Sequence, residues 1–334
     1  METSPPPQLT LRLIFSETKR VLVAQPRHFL TLSLIFLIPL SIAAAIFPIY
    51  FESLFTLFRF SVQPSVTFPT KTLLFVLAYT LFISLFSTSA IGTITNSVIE
   101  TFHGQTRINL QSATKSLSTS FFRLLVTNNY AGKIVVLITF GSSFVLSLLI
   151  LGAVLYGYNI DFSSPKFLLL FLAFSIVQLS VAIFLHVNWT LSSVVVVAEK
   201  ISGLASLKRS WSLVKGRRLL VLNMSMCSGL PLATLWLVNF RLNWPSLELA
   251  EDEDGSDKLI ILFSLTLQVL LFSTIQTSIL LIALTANTVL YLYCNKAGVV
   301  LHGDKEFSGN YISLKVYDEE EGGKVSSVMS KLDN

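Results

Sequence analysis

Three polar side chains, Gln178, His186 and Asn188, interrupt or end an apolar run from 167 to 194. At membrane depth such groups line ion or substrate paths or relay protons, because hydrocarbon offers them no other partner. They serve equally well as inter-helix hydrogen bonds worth about 0.6 to 2 kcal/mol each. Gln268, Gln276 and Asn287 further along read the same way. Two carboxylates, Glu100 and Glu199, end apolar runs and are each followed four residues later by a glycine, Gly104 and Gly203. An acid so placed either pins a basic helix by ion pairing, as Glu199 would with Lys208 or Arg209, or stays solvated. The four histidines, His28, His103, His186 and His302, are too scattered for the ligand spacing of a metal site. The chain holds no P-loop, dinucleotide fingerprint, His-Glu-x-x-His or Cys-x-x-Cys. The expectation is therefore no catalytic, cofactor-binding or metal-ligating residue. An intramembrane lipid enzyme would need acids and histidines gathered at one depth, and only His186 near Glu199 approaches that.

The elements that must position these side chains are six apolar stretches near 29–51, 72–95, 134–156, 167–194, 219–240 and 259–293. About 20 predominantly apolar residues span the roughly 30 Å hydrocarbon core, so each stretch is long enough to cross it. Composition agrees: 52% of the residues are hydrophobic and 13% charged, and the mean hydropathy is +0.69, against about 25% charged residues in soluble domains. None of the stretches carries Asp, Glu, Lys or Arg well inside it, which argues against an ion-coupled pump. The sixth, if wholly helical, is about 52 Å long and must tilt, kink or project. Ser84, Thr88 and Gly92 in the second stretch, and Ser225, Gly229 and Ala233 in the fifth, are read as close-packing faces.

Nineteen of the 24 Lys and Arg residues fall on one side of the six stretches and five on the other. The positive-inside rule therefore places both termini in the cytosol, in the plasma membrane or an endomembrane. The first stretch reads as a retained signal anchor, since residues 1–28 lack a cleavable leader's pattern. Both Asn-x-Ser/Thr sequons, at Asn188 and Asn223, lie in or beside a span, out of reach of glycosylation.

A pattern recurs in the basic segments: SETKR at 16–20, SATKS at 112–116 and SLKRS at 206–210. Each lies on a stretch of helical apolar spacing: Leu11, Ile14, Thr18, Val21, Leu22; then Leu110, Ala113, Leu117, Phe121, Leu124; then Leu204, Leu207, Trp211, Val214. The expected fold is all-α, a polytopic membrane bundle of six transmembrane helices arranged as three hairpins. Each hairpin follows a basic amphipathic cytosolic helix, giving repeats of about 95 residues. Residues 1–302 then form one transmembrane domain with pseudo-repeats near 8–104, 105–203 and 204–302, and 303–334, with its acidic DEEEGG run, is a disordered cytosolic tail.

The run EKISGLASLKRSWSLVKGRRLLVL at 199–222 is similar to a signature of a plant family of uncharacterised six-span integral membrane proteins. More distantly it resembles bacterial families related to the glycerophosphodiester phosphodiesterase membrane region. Glu199, Gly203, Ala205, Lys208, Arg209, Ser210, Trp211, Lys215, Gly216 and Arg217 carry the resemblance, which extends in layout over most of 8–302. It implies no established activity, because the phosphodiesterase relatives hold their catalysis on a separate soluble domain.

The leading expectation is a non-enzymatic multi-pass protein. Its basic segment, Lys208, Arg209, Trp211, Lys215, Arg217 and Arg218, would engage anionic lipid or organise a cytosolic protein partner, with no nucleic acid involved. The alternative is a transporter or channel for a small or lipid-like substrate, its path lined by Gln178, His186 and Asn188. Cys227 and Cys294 imply no disulfide framework, and Cys294 is placed where juxtamembrane acylation occurs.

Overall fold

A computed structural model describes residues 9–47, 70–104, 110–157, 164–252 and 255–302. The expected tail at 303–334 and the side chains of the SATKS copy at 112–116 lie outside the described residues. Every described element is helical: α1 (Leu11–Ala24), α2 (Pro26–Phe47), α3 (Thr70–Phe102), α4 (Leu110–Leu155), α5 (Pro165–Trp189), α6 (Ser192–Glu199), α7 (Leu204–Val214), α8 (Arg218–Asp252) and α9 (Gly255–His302). Six of them, α2, α3, α4, α5 continued through α6, α8 and α9, are long and apolar enough to cross a membrane. This is an integral membrane chain by length and composition.

Local chemistry sets the boundaries. Thr10 caps α1 by accepting a hydrogen bond from Leu13 N at 3.4 Å. Pro26 ends that helix and opens the next, since it has no N–H to bond backward and its fixed φ suits a first helical position. Within α2 the ladder loosens to a π turn at Ser33–Leu37, with Ile38 N–H bonding to Ser33 O. Pro39 explains it: the residue has no N–H for Ile35 O, and its ring presses on that carbonyl. Gly216, at φ 88°, makes the reversal between α7 and α8. No such break falls between Leu110 and Leu155, so the second basic segment is continuous with its span in one 46-residue helix, about 69 Å long.

The packed core lies toward one end of the bundle. Ile14 and Val21 of α1, Phe29, Leu32 and Leu37 of α2, Ile94 and Val98 of α3, Val214 of α7, Val221 of α8 and Val289 to Leu292 of α9 form a single buried cluster. At its centre is α6, whose run Val194 to Val197 is buried on every side. Val194 and Val195 face the main cluster, while Val196 and Val197 meet Leu124 and Ile91. Four β-branched residues in eight are a poor intrinsic helix. Packing by α3, α4, α7 and α9 offsets that deficit.

Away from this end the helices expose apolar side chains: Leu73, Leu77 and Leu81 on α3, Leu137, Phe140 and Phe144 on α4, Leu168 to Leu172 on α5, and Leu259, Ile260, Leu262 and Phe263 on α9. A soluble surface does not carry such patches, whereas hydrocarbon is their natural surrounding. Polar contacts hold the helices there. Asn239 Nδ2 donates to Ala45 O at 2.8 Å, Thr277 Oγ1 to Ser41 Oγ at 2.9 Å, and Tyr79 OH to Ala43 O at 3.3 Å, all three gathering on α2. The small-residue faces divide. Thr88 and Gly92 are buried, but Gly229 and Ala233 are exposed, and among the described residues an added Cβ at Gly229 would meet nothing within 4 Å.

Ile14 anchors α1 with no exposed surface. Ile14→Ala is expected to cost about 2 to 5 kcal/mol by leaving a cavity under α1, read as a lowered melting temperature of the full chain in detergent. An unchanged melting temperature would mean that α1 is not docked.

Candidate functional site: the charged layer around Glu199

The chain leaves α6 through a tight turn. Lys200 takes a left-handed φ of 57° as the helix cap, and Gly203 opens α7 at φ 69°, ψ −140°. L side chains are strained in that conformation, and a Cβ at Gly203 would also stand 3.5 Å from the Tyr130 ring. The turn is tied to α4, because Gly203 N–H donates to Thr127 Oγ1 at 2.8 Å. Gly203, singled out from sequence for its spacing from Glu199, is therefore a buried hinge.

With the turn so held, α7 lies across α4, α5, α6 and α9. Its inner face is Ser206, Leu207, Ser210 and Val214, all buried. Leu204, read from sequence as part of the apolar stripe, is 57% exposed, and two serines complete the inner face. They fit because each has a partner: Ser206 Oγ donates to Gly203 O at 2.8 Å and Ser210 Oγ to Asn188 O at 2.7 Å. Lys208, Arg209 and Lys215 are on the outer face.

Glu199 ends α6 as the hub of this layer. Its Oε1 accepts from Arg209 Nε at 3.2 Å and from Tyr291 OH of α9 at 3.0 Å. Arg209 Nη2 reaches Asn295 Oδ1 at 3.5 Å. The Glu199–Arg209 pairing considered from sequence is thus present, and Tyr291 and Asn295, which sequence reasoning missed, complete it. Glu100 has a different partner: Asn96 Nδ2 donates to it at 2.8 Å from one turn back on α3.

A second cluster sits at the α5–α7–α8 junction. The Trp211 and Phe184 rings meet edge to face at 5.4 Å, with the Arg218 guanidinium 5.2 Å from the Trp211 centroid and 5.6 Å from that of Phe184. Such cation–π contacts keep an arginine beside apolar surface while one side of it remains in water. Arg218 is exposed, and Trp211 and Arg217 are half-buried. Of the basic set, Arg209, Arg217 and Arg218 are engaged within the protein, Arg217 beside the Cys294 thiol, whereas Lys208 and Lys215 point outward.

The intramembrane polar candidates do not converge. Gln178 donates to Ser142 of α4. Asn188 is fully buried and donates to Phe184 O at 2.6 Å within its own helix. His186 is exposed. Cys294 is buried with 3% exposure, out of reach of an acylating group in this conformation, while Cys227 is exposed. Among the described residues no three His, Cys, Asp or Glu side chains come together.

Glu199 is 15% exposed and Arg209 45%. Removing the half-buried acceptor should cost more than removing its exposed partner: about 1.5 to 3 kcal/mol for Glu199→Ala against under about 1 kcal/mol for Arg209→Ala. Chemical or thermal melts of the two variants check this, and equal losses would contradict the hub assignment.

No curated protein and no solved structure matches the chain. A family model described as a domain of unknown function (DUF8558) matches residues 7–298, nearly the whole chain, so the protein belongs to that family.

Proposed function

We propose that this protein is a non-enzymatic membrane protein that binds anionic lipid headgroups through a basic surface on the cytosolic side of the bilayer. The observation that carries the reading is the division of α7: its buried face is satisfied by protein, and Lys208 and Lys215 are left outward, with Arg217 and Arg218 beside them. Arg12, Lys19 and Arg20 on α1 add to the surface. Lys and Arg stems long enough to reach phosphates, with Trp211 at the same level, suit a headgroup layer. An acidic protein partner would use the same charges.

In this reading both termini are cytosolic, on the charge asymmetry of the connections. Residues 1–302 act as one transmembrane domain of three related hairpins near 8–104, 105–203 and 204–302. The basic amphipathic helices of the first and third are α1 and α7; that of the second is the start of α4, which runs unbroken into its span. The membrane is the plasma membrane or an endomembrane. The transporter alternative draws less support, because Gln178, His186 and Asn188 each turn to a different surrounding.

Each basic residue near an anionic surface contributes about 1 kcal/mol. The variant Lys208→Ala, Lys215→Ala, Arg218→Ala is expected to weaken retention of a fluorescent phosphatidylserine by about a hundredfold, with phosphatidylcholine unaffected and the difference shrinking at high salt. The assay is lipid exchange into full-length protein held in mixed-lipid nanodiscs. Equal retention of the two lipids by the unaltered chain would overturn the proposal.

A further inference from the structure

Between α3, α4 and the start of α6 lies a cavity of about 20 Å³, lined by Thr88, Ile91, Leu124, Asn128, Ser192 and Ser193 among others. Its inner wall carries a polar group without a partner. Thr88 is 1% exposed, and its Oγ1 has no hydrogen bond among the described residues. On the same helix the hydroxyls of Thr80, Thr93 and Thr101 donate to the carbonyl four residues back, at 2.7 to 2.8 Å. Thr88 makes no such bond to Ser84 O; Thr95 Oγ1 is likewise without a partner among the described residues, but of the two only Thr88 lines this cavity. A buried hydroxyl without a partner is costly, and one that lines a cavity is relieved by an occupant there.

The other wall is a helix start. The chain breaks at Thr190–Leu191 between α5 and α6, and Ser210 Oγ takes the Asn188 carbonyl at the break. At the start of α6 Val195 N–H bonds to Leu191 O at 2.9 Å, and among the described residues no side chain caps the helix. The amides of Ser192 and Ser193 precede that ladder, and both residues line the cavity. Helix-start amides and the positive end of the helix dipole favour negative charge.

Thr127 adds no free donor, since its hydroxyl donates to Arg123 O at 2.9 Å while accepting from Gly203. Asn128, exposed at the mouth, presents an amide. Among the described residues no carboxylate lines the cavity. Arg123 and Lys133 flank this part of α4, four residues before Thr127 and five after Asn128. The lining offers hydroxyls, a side-chain amide and a helix start, all able to donate to an anion, and the volume admits a single small ion or a water rather than a phosphate group. We propose that this cavity binds a small monatomic anion, chloride in the first instance, clasped by the Thr88 hydroxyl and the helix-start amides of Ser192 and Ser193. The anion would lock the α5–α6 break against α3 and α4, independently of any lipid bound at the basic surface.

The test uses the full chain in detergent at constant ionic strength, exchanging sodium gluconate for sodium chloride or bromide while the melting temperature is followed. The expected result is a saturable rise with both halides. Thr88→Val should weaken the apparent halide affinity at least tenfold, and Asn128→Asp, an exposed change that sets a negative charge at the mouth, should abolish the effect. If the valine variant does not fold, the aspartate variant decides alone. An equal melting temperature in chloride and gluconate, an unaltered halide response in Asn128→Asp, or a water in place of bromide in a bromide-soaked crystal would each overturn the site. Loss of phosphatidylserine preference would leave it standing.

Discussion

Burying four consecutive valines, Val194 to Val197, is the constraint from which the rest of this bundle follows. A helix apolar on all sides needs neighbours on all sides, and α6 is only eight residues long. It collects α3, α4, α7 and α9 around itself, and the main buried cluster grows outward from those contacts. In hydrocarbon there would be no drive to cover these valines with protein rather than lipid. Their enclosure goes with the polar groups at both ends of α6: the break at Thr190–Leu191 with its Ser210 cap, and Glu199 with its two hydrogen-bond partners.

The turn that follows makes the charged layer possible. With Lys200 left-handed and Gly203 fixed to Thr127, the chain reverses within four residues and α7 lies back over the valines it has just left. Its serine-lined inner face is satisfied internally, so the lysines on its outer face are available to whatever lies beyond. A basic helix held by protein is a standing surface, needing no lipid to fold it. A helix ordered only by lipid would meet its folding entropy at each binding event.

The six spans were legible because length and apolarity alone define them, and the stripe Ile14, Thr18, Val21 because a 3.6-residue period leaves few choices of face. The sequence left Glu199 with Lys208, Arg209 or solvent as its partner, and it is the turn through Gly203 that brings Arg209 to it. What could not be read was which apolar surface faces protein and which faces lipid, since both reward the same side chains. That ambiguity hid α6 inside the fourth apolar run, left Gly229 and Ala233 looking like a packing face, and concealed Leu204 as an exposed residue. Asn239 and Thr277 were missed because single polar residues in a span carry no periodic signal. No residue pattern separates Thr88, whose hydroxyl is left without a partner, from Thr80, Thr93 and Thr101, whose hydroxyls bond back along the same helix.

The central claim is that α1 and α7 are docked on the bundle by their own buried faces rather than by a membrane surface. Hydrogen–deuterium exchange on the full chain in neutral detergent, without added lipid, tests it most directly. The account predicts that amides of 11–24 and 204–214 are protected nearly as strongly as those of 286–294 in α9. Free exchange in those two segments, slowing only when anionic lipid is supplied, would contradict it.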